Sequence, residues 1–170
     1  MKNRALLFWT LVAAQALFLL GWAGYHEWVR QNAPTILLKV RPVDPRDLVR
    51  GDYMILGYDV STVPKPPGDQ NLGYYADLFV VLEKRGLYHE AARTSLTEPA
   101  NLEPGQIWVR GTADPSAQPG KVQVTYGIEQ FFVPEGKGTP SFKDLAVRAS
   151  VSPDHRLYIR EVLLDGRPYP

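Results

Sequence analysis

Apolar positions along the chain form one long block followed by many short ones. From Ala5 to Gly24 the sequence reads ALLFWTLVAAQALFLLGWAG, without a charge. A helix needs about 20 such residues to cross a hydrocarbon layer roughly 30 Å thick. A lone span in lipid must also satisfy its own backbone, which only a helix does. The block therefore predicts a transmembrane helix in contact with the bilayer from Ala5 to Gly24, with helix continuing over 25–33. Pro34 disfavours helix at the residue before it, so residues 1–33 are expected as tip, span and juxtamembrane extension. Gln15, in mid-span, reads as a tolerated polar residue. A cleaved secretory signal is the competing expectation, since Gly21 and Ala23 are small. The block exceeds the ~7–15 apolar residues of such a signal, and Trp22, Tyr25 and Trp28 crowd the cleavage position. Trp and Tyr are also the residues that settle at the headgroup layer of a retained helix.

Beyond residue 33 the pattern shortens and changes period. Residues 35–40 (TILLKV), 52–60 (DYMILGYDV), 77–83 (DLFVVLE), 87–95, 106–111 (QIWVRG), 121–133 (KVQVTYGIEQFFV), 145–151 and 157–164 read as strands. Val147, Ala149 and Val151 alternate with Arg148 and Ser150, the period of a strand with one wet face. In the 52–60 run, alternation sends Tyr53, Ile55, Gly57 and Asp59 one way and Asp52, Met54, Leu56, Tyr58 and Val60 the other. Residues 84–86 (KRG) make a hairpin turn, and Gly127 marks a bulge or bend. Loops are expected at 41–50, 63–75 and 113–120, and one helical turn at 141–145. About eight short strands predict a mainly β chain. The expected architecture is one antiparallel β-barrel or sandwich-like domain over 34–170, behind the N-terminal transmembrane helix.

Composition narrows the chemistry. The chain has 19 basic and 18 acidic residues, and setting aside Lys2, Arg4 and Glu27 leaves 17 of each. No basic stripe stands out, so nucleic acid is not an expected partner. The absence of cysteine excludes disulfides, thiol catalysis and Cys-type zinc sites. Fourteen glycines and 15 prolines cut the tail into pieces that suit strands and turns. Lys2 and Arg4 precede the span, and the first charge after it is Glu27. Cationic flanks stay cytoplasmic, so the β domain is expected outside the cytoplasmic membrane.

Two stretches concentrate unusual residues. In RPVDPRDLVRGDYMILGYD (41–59), Arg46, Asp47, Arg50 and Asp52 gather around a Gly-Asp turn, either as a pinned loop or as a recognition patch with Tyr53 and Tyr58. In YGIEQFFVPEG (126–136), Tyr126, Phe131 and Phe132 are candidates to line a groove, with Glu129 and Glu135 as polar fixers. The competing reading is core aromatics and cross-strand pairs. Asp52 and Glu129 are a candidate carboxylate pair for glycoside hydrolysis. No cofactor is called for: His26, His89 and His155 are scattered, and His89-Glu90 lacks a second histidine at helical spacing. A signal-peptidase-like serine mechanism needs a nucleophile just before the Gly-Asp turn, and residues 41–50 contain no Ser, Thr or Cys.

Residues 51–58, GDYMILGY, carry a resemblance. Gly51, Asp52, Tyr53, Leu56 and Tyr58 supply every fixed position of the GDYXXLXY family. Pro42-Val43-Asp44-Pro45-Arg46, residues 126–129 and 132–136, and Leu163-Leu164-Asp165-Gly166 are similar to it as well. The resemblance implies a bacterial, single-pass, membrane-anchored protein without an assigned activity, of a kind often encoded beside multi-pass membrane proteins. It supplies no catalytic residue. The function expected is binding or steadying a neighbouring membrane protein. The alternative is a small-molecule, peptide or glycan-binding envelope domain, with hydrolysis as its extreme form.

Overall fold

A computed structural model of the chain describes residues 2–41, 53–68, 72–114, 119–132 and 144–169. It divides into two compact units, Met1–Ala33 and Pro34–Pro170.

The first unit is a helix, α1 (Lys2–Asn32). Its large apolar side chains are exposed along the whole block, from Leu6 at 70% to Trp22 at 57%. A helix that is apolar all round lies in lipid or inside a protein. The segment Leu6–Asn32 is long and apolar enough to cross a membrane. At its far end Glu27 pairs with Arg30 at 2.8 Å, and Gln31 donates to Glu27 at 2.7 Å, closing the last turns before Pro34.

The second unit is built from antiparallel strands. Twelve are described: β1 (Thr35–Arg41), β2 (Tyr53–Ile55), β3 (Gly57–Tyr58), β4 (Thr62–Pro64), β5 (Ala76–Arg85), β6 (Tyr88–Ser95), β7 (Gln106–Asp114), β8 (Lys121–Thr125), β9 (Gln130–Phe132), β10 (Leu145–Val151), β11 (Leu157–Leu164) and β12 (Arg167–Tyr169). They form one five-stranded sheet in the order β12-β11-β10-β1-β3, a second in the order β4-β8-β7-β5-β6, and a two-stranded ribbon β2-β9. The chain is thus mainly β, with two antiparallel sheets in a sandwich-like arrangement, without a closed barrel among the described strands.

Alternation explains the core. Ile36, Leu38 and Val40 of β1, Val147 and Ala149 of β10, and Leu78, Val80 and Leu82 of β5 are all buried, and they belong to one apolar cluster with Val109, Val122 and Val124. Leu56, Tyr58 and Val60 are buried as the alternation demands, while Ile55 is exposed. The strand itself is interrupted, however. Its first part pairs with β9, Gly57–Tyr58 pairs with β1, and Asp59–Ser61 turn as a 3-10 helix. The face is kept while the partner changes.

Several expectations need adjustment. The long 121–133 strand is two, because Gly127 adopts φ +82° and breaks the ladder between β8 and β9. The expected wet face of β10 is wet only at Arg148, since Ser150 and Ala146 are 5% exposed. Strands β4 and β12 occupy segments read as loop or tail. Each is three residues long, contains a proline, and lies at a sheet edge where the missing N–H is harmless. The expected helical turn at 141–145 falls mostly outside the described residues, and Leu145 begins β10.

Candidate functional site

The two stretches singled out in the sequence meet. Strand β2 pairs with β9 in the register Tyr53↔Phe132, Met54↔Phe131 and Ile55↔Gln130. Beyond the ribbon, the Leu56 N–H donates to the Glu129 carbonyl at 2.7 Å. The ladder therefore continues to the point where the first stretch leaves for β1.

Two buried tyrosines fasten this junction. The Tyr58 hydroxyl donates to the Ile128 carbonyl at 2.6 Å, and the Tyr126 hydroxyl donates to the Val60 carbonyl at 2.7 Å. Each ring fills the core while its hydroxyl satisfies a carbonyl of the other stretch, as a buried polar group must. Burial pushes both phenols far above their usual range, and the charge of Glu129 adds to this. Both hydroxyls therefore act as protonated donors and not as bases. Glu129 is occupied as well. Its carboxylate accepts the Tyr126 N–H at 2.6 Å and the Gly127 N–H at 2.9 Å, holding the turn that Gly127's positive φ makes possible.

Tyr58 and Tyr126 are thus placed in the interior, 1% and 6% exposed, and Glu129 serves its own turn. Phe131 packs against the core cluster. Tyr53 and Phe132 stand opposite each other in the ribbon. Arg46, Arg50, Asp52 and Glu135 lie outside the described residues, as does the expected ion-pair network around the Gly-Asp turn and hence the Asp52–Glu129 pair. Within the described residues, Arg41 at the end of β1 pairs with Asp59 at 2.7 Å, fixing the start of the 3-10 turn.

A second cluster was not anticipated from the sequence. On the outer face of the second sheet, Trp108 of β7 stacks on His155 with ring centroids 3.4 Å apart and planes 13° apart. Phe79 of β5 meets Trp108 edge-on at 5.3 Å. His155 sits in the β10–β11 turn with φ +59°, and its carbonyl accepts the Arg110 N–H at 2.8 Å. Arg110 makes a forked pair with Asp77 at 3.0 and 2.6 Å, which holds the Asp77 carboxyl below its usual range. The only local signal was an apolar tryptophan on the wet side of a strand. Its partner lies 47 residues away.

Among the described residues, no group of three or more His, Asp or Glu side chains is disposed to hold a metal ion. A family model described as GDYXXLXY protein matches residues 15–162 of the chain. The match covers most of the chain, and the protein belongs to this family. Comparison with curated proteins gives no match, and comparison with solved structures gives none.

Proposed function

We propose that this protein is a single-pass anchor of a bacterial cytoplasmic membrane, with its N-terminus inside and its β domain outside, where the domain binds or steadies a neighbouring membrane protein. The observation that carries the proposal is α1, whose segment Leu6–Asn32 is long and apolar enough to cross a membrane. Lys2 and Arg4 before the span supply the orientation. A tethered domain meets partners in the same membrane at an effective concentration far above that of a free protein.

The β2–β9 ribbon is the proposed docking site. It brings together the two stretches that the sequence marks out, and the buried tyrosines hold it to the core. Leu56, Tyr58, Tyr126 and Glu129 serve as its mounting. The proposed contact residues are Tyr53 and Phe132, register partners in the ribbon, with Arg46, Arg50, Asp52 and Glu135 as the neighbouring charges along the chain. Tyr53→Ala and Arg50→Ala, in full-length protein extracted with mild detergent, are expected to lose a co-purifying membrane protein while the body keeps its unfolding midpoint. Retention of the same partner by both folded variants would contradict the assignment.

A further inference from the structure

Strand β6 joins the two sheets along a seam without a backbone ladder. On one margin of β1, the Pro34 carbonyl accepts from Val151, so alternation turns the Leu37 N–H toward the other margin. There it meets a side chain, donating to His89 Nδ1 at 3.2 Å. The adjacent Tyr88 donates its hydroxyl to Asp144 Oδ2 at 2.5 Å, and Lys39 Nζ lies 5.9 Å from the centre of the Tyr88 ring. At the other end of β6, Thr94 Oγ1 donates to the Pro64 carbonyl of β4 at 2.8 Å. Of these groups only the imidazole changes charge in the neutral range.

We propose that His89 is an acid-operated latch: its protonation releases β6 from β1 and opens this side of the sandwich. A protonated Nδ1 is a donor and cannot accept the Leu37 N–H, so acid leaves two donors facing each other. The surroundings offer the cation little relief. Lys84 of β5 is the register partner of His89, and Lys39 of β1 faces the ring of the adjacent Tyr88. On β6 itself Glu90 is paired with Arg85 at 3.6 Å and stands opposite Glu83. Asp144 is held by Tyr88. Arg148, the register partner of Leu37 on β10, is engaged with Glu161 at 2.8 Å. Burial above all, and Lys84 to a lesser degree, lower the affinity of His89 for a proton.

With a depressed folded value, the contribution of His89 is complete above the unfolded value of about 6.5 and is lost as pH falls from there through the folded value. On the extracytoplasmic placement proposed above, the latch would meet ambient acidity directly. The latch itself does not depend on that placement. The test is hydrogen exchange at the Leu37 amide of the full-length chain in nanodiscs, corrected for intrinsic pH dependence, with His89→Gln as comparison. Glutamine can accept the same N–H without titrating. Protection in the wild type is expected to fall by up to about tenfold per pH unit below about 6.5, while the glutamine variant stays protected. A flat wild-type profile, or parallel profiles in the two proteins, would overturn the proposal. If the variant does not fold, the imidazole titration of the wild type decides: a midpoint below the ordinary histidine value that coincides with amide opening supports the latch, and any other midpoint overturns it.

Discussion

Tyr58 and Tyr126 are cross-strapped: the hydroxyl of Tyr58 reaches the Ile128 carbonyl just past Tyr126, and that of Tyr126 reaches the Val60 carbonyl just past Tyr58. The last tyrosine of the family string is therefore one half of a reciprocal clasp. Leucine and tyrosine at these positions fix where the chain crosses between partners, which accounts for their place in the string without invoking catalysis.

Tyr58→Phe and Tyr126→Phe each leave a buried carbonyl without its donor, at a cost of about 1–3 kcal/mol. Urea unfolding of the two single variants and the double variant measures this. Because both straps hold one junction, the double variant is expected to lose less than the sum of the singles. Additive losses would separate the two bonds.

The turn between β8 and β9 depends on Gly127 and Glu129 together. Gly127→Ala forces a side chain into the left-handed region and is expected to cost about 1–2 kcal/mol. Glu129→Ala removes two charge-assisted bonds, each worth about 1.5–3 kcal/mol. Both losses should appear in the unfolding midpoint.

Gly111 tests packing instead of backbone freedom. A Cβ placed there would stand 2.3 Å from Val124 Cγ1 and 3.1 Å from the Thr125 carbonyl oxygen. Gly111→Ala is expected to destabilise by about 1–3 kcal/mol through overpacking of β7 against β8, read as a lowered midpoint with an unchanged denaturant slope.

The Asp77–Arg110 pair should be visible by titration and nearly silent in stability. The Asp77 carboxyl is expected to titrate below the ordinary value of about 3.9. Its contribution is present above that value and lost as pH falls through the folded one. The pair is exposed, 54% and 40% for the two side chains, so solvent screens it. Carboxyl NMR should show the shift, while Asp77→Asn should leave the urea midpoint at neutral pH unchanged within error.

Much of the fold was legible because burial follows alternation. Val147, Ala149 and Val151 in β10 and Leu56, Tyr58 and Val60 beside the ribbon obey it even where the strand breaks. Gly127 announced the bend in the 121–133 run, but the break in the 52–60 run was not legible, because exchanging β9 for β1 as partner leaves the inward face unchanged. Strands β4 and β12 carry only three residues each, too few for a period to show. The clasp was hidden for another reason. Tyr58 and Ile128 are 70 positions apart, and a tyrosine in a strand looks alike whether its hydroxyl meets a carbonyl or a partner. The same holds for Trp108 and His155.

The proposed function requires a retained helix that displays the β domain outside the cytoplasm. The chain has no cysteine, so one introduced at Leu87, 74% exposed in the β5–β6 turn, is a unique reporter. Treating intact cells with a membrane-impermeant maleimide and then isolating the membranes should give a labelled, full-length Leu87→Cys chain. Labelling only after lysis, or a labelled chain that has lost its first residues and left the membrane, would contradict the account.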